Sequence, residues 1–189
     1  SKGRTSYQLV FDRTPFYGNS GGQIGDIGSV ESANERIPVV ATEKENGLII
    51  HIVNQLPENP EAEFTVKVDP EKRQAAANNH TATHLMHEAL RKVLGTHVEQ
   101  KGSLVTPEIL RFDFSHFQKV THEELREVER LVNRAVRANY PLVENREATK
   151  EEAEKCGAMM LFGEKYGDKV RMVRFGSSVE PVSYTHLTL

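Results

Sequence analysis

The sequence contains few of the residues that mark secreted or membrane proteins. Its 189 residues include one cysteine and no tryptophan, and aromatic residues make up 7% of the chain. A single cysteine excludes an internal disulfide framework and is typical of a reducing compartment, so we expect a cytoplasmic protein. No apolar run approaches membrane-spanning length and the N-terminus has no signal-peptide core, so we expect no membrane partner.

The chain also lacks a strong excess of charge of either sign. Its formal net charge is −3, from 24 Lys and Arg against 27 Asp and Glu. Residues 1–70 hold 6 basic and 10 acidic residues, whereas residues 71–189 hold 18 and 17. No overall field therefore indicates a nucleic-acid-binding protein, and any RNA contact has to come from local patches in the second part.

Residues 1–70 have the pattern of short strands joined by tight turns. Asn46-Gly47 lies between the apolar segments 37–41 and 48–53, which is a strong hairpin signal. A loop rich in glycine spans 13–26, and segment 64–68 alternates between apolar and polar residues. These features predict a small N-terminal β-barrel or sandwich, with a boundary at Asp69-Pro70.

The second part mixes helix and strand. A helical pattern runs from near Glu71 to Gly95, and segment 110–114 alternates as a half-buried strand does. Capping boxes at 121–124 and 149–152 predict two further helices, the first stopped by Pro141 and the second reaching Phe162. With a final strand at 170–175, this order predicts an α+β layer fold, whereas residues 181–189 are uncharged and have no clear period, as in a non-native tail.

Two histidines in the first predicted helix have the spacing of a metal site. His80 and His84 are four residues apart, so both rings lie on one helix face and can converge on a divalent ion, usually zinc. Thr81 stands where a zinc protease carries its catalytic Glu, so the pattern disfavours that class. His87 lies on the same face and is a candidate third ligand or supporting partner. A solvated polar helix face is the alternative interpretation of these histidines.

Five motifs stand in order along the chain: 12–17 with 20–26, His80-Thr81-Ala82-Thr83-His84-Leu85, Gln100-Lys101-Gly102-Ser103, 111–116 and 161–168. Together they resemble the editing part of the alanyl-tRNA synthetase family. The resemblance implies a β-barrel domain at 1–70, an α+β two-layer editing domain at 71–180 and an atypical tail at 181–189. It leaves the ATP- and Mg²⁺-dependent synthetase domain of that family without a counterpart. Threonyl-tRNA synthetase editing domains share the paired histidines, but the last motif favours alanine.

The same resemblance implies a zinc ligand set. In the family, the His pair is joined by a later Cys-x-x-x-His, which makes His80, His84 and His186 the expected ligands here. Val182 stands at the position of the cysteine, and a valine cannot replace a thiolate. Cys156, the only thiol, lies in a predicted helix that the family does not use for metal, and we expect it to be an inert, buried or half-exposed side chain.

The implied reaction is hydrolysis of serine or glycine esters at the acceptor end of tRNA(Ala). Gln100 is expected to line the pocket, Thr81 and Thr83 to offer hydroxyl groups beside the metal, and Asp113 with His116 to assist proton transfer. A packed helix surface and a solvated strand edge are the alternative roles for these threonines and for Asp113 with His116. Candidate phosphate contacts are Arg91, Lys92, Lys101, Arg111 and Lys165.

Three functional hypotheses follow from the resemblance. The first is a fragment of an alanine–tRNA ligase that works with the rest of its parent synthetase. The second is a free-standing editing protein that deacylates mischarged tRNA in trans. The third is a non-catalytic tRNA-binding module, which the valine at position 182 favours.

Overall fold

The structure is a computed structural model that describes residues 5–149, 169–175 and 178–182. These residues form a mixed α and β fold with antiparallel sheets and two helices, which confirms the predicted combination of elements. They divide into two compact units. One holds the described residues up to Asn79 and the segment Leu104–Ile109, and the other holds His80–Ser103 and the described residues from Leu110 onward.

The first unit contains a five-stranded antiparallel sheet with the order β1-β4-β3-β2-β5. In the described residues an open sheet stands where a barrel was predicted. The edge strand β1 pairs only with β4 and the edge strand β5 only with β2, so the two edges do not join. Phe16, Ile37 and Val53 lie in its core. The strands are β1 (Tyr7–Leu9), β2 (Gly28–Glu31), β3 (Arg36–Glu45), β4 (Leu48–Val53) and β5 (Thr65–Val68).

The hairpin between β3 and β4 forms at the predicted dipeptide. Asn46 and Gly47 both have positive φ, 50° and 82°, as the two-residue turn that matches strand twist requires. The glycine-rich loop before β2 has a different constraint. A Cβ added to Gly25 would lie 1.7 Å from the carbonyl oxygen of Thr42, so the loop backbone approaches β3 more closely than any side chain allows.

The first helix, α1 (Pro70–Leu94), ends where the sequence predicts. The side chain of Asp69 accepts hydrogen bonds from the N–H groups of Glu71 and Lys72, and Pro70 occupies the first turn, where its missing N–H is harmless. Gly95 follows in a positive-φ conformation and donates its N–H to the carbonyl of Arg91.

The second unit surrounds the later part of α1. Its core joins Ala89 and Leu90 of α1 to Val98 and to Val128 of the second helix. Two strands form one small sheet and three form an antiparallel sheet with the order β10-β9-β8. The elements are β6 (Gln100–Val105), β7 (Leu110–Phe114), α2 (His122–Ala138), β8 (Leu142–Thr149), β9 (Lys169–Phe175) and β10 (Ser178–Val182).

The capping box of α2 is present as predicted. Thr121 accepts the N–H of Glu124, and the Glu124 carboxylate accepts the N–H of Thr121. The Thr121 hydroxyl also donates to this carboxylate at 2.9 Å, and the two bonds that the carboxylate accepts, the backbone one first, lower the pKa of Glu124. The predicted stop at Pro141 is wrong by two residues, because Asn139 adopts the left-handed conformation (φ 47°) and ends the helix at Ala138.

Three strands of the second unit, β6, β8 and β10, were not predicted. β8 is largely polar and becomes a strand by pairing with β9, a contact that local sequence does not reveal. β10 continues through Val182, so the strand at 169–175 is not the last one and the proposed tail begins inside a paired strand. Thr149, the first residue of the second predicted capping box, is the last residue of β8. The rest of that box and its helix, together with Cys156, Lys165, segment 161–168 and His186, lie outside the described residues. Neither described helix combines the length and apolar composition of a bilayer crossing.

A buried histidine ties β1, β4 and the start of the glycine-rich loop together. The His51 ring lies between Phe11 and Phe16, with ring centres 5.0 and 4.9 Å away. Its Nδ1 is 3.1 Å from the carbonyl oxygen of Leu9 and must donate, so Nε2 accepts from the Thr14 hydroxyl at 2.8 Å. Burial lowers the pKa of His51, because the protonated ring would lose its hydration.

Acidification should therefore weaken this unit. Below the ordinary histidine pKa of 6.5, His51 binds a proton in the unfolded chain but stays neutral in the folded one. The free energy of unfolding therefore falls as pH decreases. The slope is at most about 1.4 kcal/mol per pH unit. Urea titrations between about pH 7 and 5 should give a shallower slope for His51→Gln. The exposed control His122→Gln should keep the wild-type slope, and equal slopes for both variants would contradict this role of His51.

A buried ion pair holds the glycine-rich loop to the first turns of α1. The Asp26 side chain is 4% exposed, and both of its oxygens accept hydrogen bonds from Arg73, the Nε bond measuring 2.8 Å. The same carboxylate accepts the backbone N–H of Tyr17 at 2.6 Å, while Arg73 also donates to the carbonyl of Pro15. This carboxylate thus has several donors, which is what makes a buried charge tolerable.

Removing Asp26 should lower stability far more than removing an exposed acid next to the same loop. Asp26→Ala leaves the Tyr17 N–H and the Arg73 guanidinium without their acceptor, and we expect a loss of about 3–5 kcal/mol in urea unfolding followed by circular dichroism. Asp12→Ala is the matched control, since its ion pair with Arg13 is 86% and 93% exposed. Its effect should stay within about 0.5 kcal/mol. Similar losses in the two variants would refute the anchoring role.

Candidate metal centre

His80 and His84 lie side by side on α1 in the second unit. Their rings are half-buried and nearly parallel, with centres 5.0 Å apart and planes inclined by 14°. Two imidazoles that bind one zinc ion at a tetrahedral angle have ring centres about 5 Å apart, because each zinc–nitrogen distance is about 2.0–2.1 Å. The spacing of the pair therefore fits a shared metal ion, but the rings are stacked, and they have to turn before both can direct a nitrogen at one ion.

The third histidine of the motif has a different environment. His87 is 4% exposed and packs on Phe112 of β7, with ring centres 5.1 Å apart and planes inclined by 42°. Of the two threonines beside the pair, Thr83 is buried and Thr81 is half-buried. Thr81 is therefore the better placed of the two to meet a ligand that approaches from solvent.

The other predicted site residues lie on the β6–β7 hairpin. Gln100 is half-buried and donates from Nε2 to the hydroxyl of Ser103 at 3.2 Å. Asp113 is half exposed and accepts from Nε of Arg111 at 3.1 Å. Its carboxylate also lies 3.0 Å from the position that a Cβ on Gly102 would take, so the hairpin packs tightly there. In this arrangement Asp113 is engaged by a cation of its own strand.

The described residues include two of the three predicted metal ligands, His80 and His84. They contain no group of three or more His, Cys, Asp or Glu side chains that could hold an ion. Position 182 is in β10, where valine has no donor atom, and His186 and Cys156 lie outside the part of the chain that the structure describes. The ligand set His80, His84 and His186, and the roles of Gln100, Thr81 and Asp113, therefore stay predictions.

The predicted phosphate contacts that the structure describes are engaged by other groups. Arg91 donates to the carbonyl of Val98 at 2.8 Å. Lys92 pairs with Glu88, and Lys101 pairs with Glu99. Since Arg111 is bound to Asp113, none of these four cations is a free phosphate ligand in this structure.

A second histidine cluster was not predicted as a unit. The Nε2 of His97 and the Nδ1 of His116 are 2.8 Å apart, so one ring donates to the other. Phe117, which is 81% exposed, stacks on His97 with ring centres 4.0 Å apart. His97 and His116 are 19 residues apart in loops, and no sequence spacing signals that they meet. The cluster gives this unit an exposed aromatic surface.

Comparison with known proteins identifies the family of the chain. The family model for class II (A) tRNA synthetases matches residues 1–74. The alanine–tRNA ligases of Bacteroides fragilis, Parabacteroides distasonis and Porphyromonas gingivalis are 61%, 56% and 49% identical to the chain. Each alignment covers 98% of this chain and 21% of the ligase, so the chain spans about a fifth of the length of these relatives. By this identity along nearly all of its length, the chain belongs to the alanine–tRNA ligase family.

Proposed function

We propose that this part of the ligase family hydrolyses the ester bond of tRNA(Ala) charged with serine or glycine, using a zinc ion held by His80 and His84. The observation that carries the proposal is the 5.0 Å spacing of these two half-buried rings on α1. It is supported by the 61% identity to an alanine–tRNA ligase. The predicted arrangement of a β-barrel and an editing domain belongs to the same proposal.

An alanine-specific ligase needs such a reaction for a physical reason. A pocket gains only about 1–3 kcal/mol from one methyl group, so glycine is poorly rejected by an alanine site. A pocket that must admit alanine also discriminates weakly against serine, which adds a hydroxyl group. A second, hydrolytic site can remove the product of either error.

The residues of the second unit have chemistry suited to this hydrolysis. His80 and His84 offer neutral nitrogen donors, and a bound zinc ion would polarise the ester carbonyl and acidify a water molecule. Attack of water on the carbonyl breaks the bond to the ribose oxygen, which takes up a proton, and releases the free amino acid. In the described residues the Oε1 of Gln100 accepts no hydrogen bond, so it can accept one from the amino or hydroxyl group of the substrate.

The partners follow from this assignment. The substrate is the acceptor end of tRNA(Ala), presented by the rest of the parent ligase in the cytoplasm. ATP and Mg²⁺ serve the aminoacylation reaction elsewhere in that ligase and have no role in the site proposed for this chain. Thr81 and Asp113 are proposed to contact the aminoacyl group and to assist proton transfer.

Zinc affinity tests the ligand assignment directly. The chain should bind zinc weakly, because a valine replaces the expected thiolate. Val182→Cys, combined with Ser183→Gly and Tyr184→Gly, should tighten zinc by more than the 10–100-fold typical of supporting residues. His80→Ala should abolish binding, whereas His122→Ala should leave it unchanged.

Competition with a chromogenic chelator measures these affinities, and Val179→Cys is the matched control because it places a thiol elsewhere on β10. Equal gains from the two thiols, or a wild-type affinity in His80→Ala, would overturn the assignment.

Deacylation tests the activity. Ser-tRNA(Ala) should lose its serine faster with the chain than without it, and a chelator should remove this excess rate. The thiol-restored variant should be faster than the wild-type chain, while Ala-tRNA(Ala) should be spared by both. Hydrolysis that persists undiminished with chelator would contradict a zinc-dependent site.

A second function has one observation in its favour. Without a thiol at position 182, the chain can act as a tRNA-binding module that performs no chemistry. Filter binding of tRNA(Ala) together with zero turnover, both before and after Val182→Cys, would select this function over the hydrolase.

A further inference from the structure

The outer face of α2 carries a row of arginines. The opposite face is buried, with Val128, Leu131 and Val132 in the core of the second unit. Because successive helical residues are about 100° apart, four arginines fall within an arc of about 80° on the side away from that core. They are Arg126, Arg130, Arg134 and Arg137, all exposed.

Three of these four cations have no partner in the part of the chain that the structure describes. Glu127 holds Arg130 through both of its carboxylate oxygens. The guanidinium groups of Arg126, Arg134 and Arg137 make no ion pair or hydrogen bond to any described residue. We call these three residues the α2 arginine face. Lys92, by contrast, has an acidic partner, since it pairs with Glu88.

Helix stabilisation does not account for this face. The helix dipole favours cations only within the last turn, a position that Arg137 alone occupies. The four acids of α2 all lie at or before Glu129, so the stretch from Arg130 to Val143 contains three arginines and no acid. The helix surface thus carries uncompensated positive charge along its second half.

A cavity borders the same face. It has a volume of about 200 Å³ and lies between α1 and α2, and its polar lining consists of Arg134, the half-exposed ring of Tyr140 and the Lys92–Glu88 ion pair. Guanidinium groups bind phosphate oxygens through two parallel N–H donors, and an aromatic ring beside them can contact a ribose or base. The cavity is therefore suited to one nucleotide of a strand that follows the helix.

We propose that the α2 arginine face binds the phosphate backbone of an RNA stem. The inference rests on the proposed function, since the substrate presented to this unit is then a tRNA. From Arg126 to Arg137 the face extends about 16 Å, roughly half a turn of a nucleic-acid helix. An anionic membrane is the weaker candidate, because a membrane-binding helix needs an exposed apolar face beside its cations and that of α2 is largely packed in the core.

The test measures the affinity of the 189-residue chain for unacylated tRNA(Ala) transcript between about 50 and 200 mM salt. Replacing all three arginines of the face by Gln should lower the slope of log affinity against log salt by about 1 for each arginine, and weaken binding at least about tenfold. Replacing them by Lys should retain most of the slope.

The control removes the same charge from paired cations of the first unit. It is the triple variant R36Q, K67Q and K72Q, whose side chains are 75%, 59% and 46% exposed and bound to neighbouring acids. Its slope should fall by less than 1. Equal losses in the two triple variants would mean that binding follows net charge and would overturn the proposal.

The remaining outcomes separate this inference from the proposed function. An unchanged slope in the Gln variant, with tRNA still bound, overturns the α2 face alone. Binding to phosphatidylglycerol vesicles but not to tRNA overturns it in favour of a membrane. A wild-type chain that does not bind tRNA refutes both proposals, whereas arginine-dependent binding without zinc or deacylation supports the face and refutes the hydrolase.

Discussion

The period of the α-helix is the constraint on which the candidate centre depends. Residues four apart in α1 lie on one face, and this alone brings two imidazoles to a separation of 5.0 Å. A loop would need further contacts to hold the same rings, whereas α1 holds them by its own backbone hydrogen bonds. The spacing of the pair therefore does not depend on any third ligand.

The two described helices carry different chemistry on the same principle. α1 presents imidazole nitrogens at its half-buried surface, and α2 presents charged guanidinium groups at its exposed surface. The first arrangement suits a metal ion and a reacting carbonyl, and the second suits a polyanion that is bound without reaction. A substrate with one reactive end and a long charged stem requires both.

The sequence predicted those parts of the fold that short-range rules determine. The Asn46-Gly47 turn, the extent of α1 and the capping box at Thr121 each depend on a few neighbouring residues, and each was found. β8 and β10 were missed because their residues become strands only by pairing with β9. For the candidate site, spacing predicted that His80 and His84 meet. It could not predict that Asp113 is engaged by Arg111, or that His97 meets His116, because those contacts depend on how the hairpin and the loops fold back.

The anchoring of the glycine-rich loop has a consequence for observing the chain in solution. The backbone N–H of Tyr17 donates to the Asp26 carboxylate, which also accepts from the Arg73 guanidinium on α1. Deuterium can replace that hydrogen only when this hydrogen bond opens. The exchange rate of a single loop amide therefore reports how often the first turns of a helix more than fifty residues away separate from the loop. Hydrogen exchange at Tyr17 is thereby a measure of the opening between α1 and the glycine-rich loop.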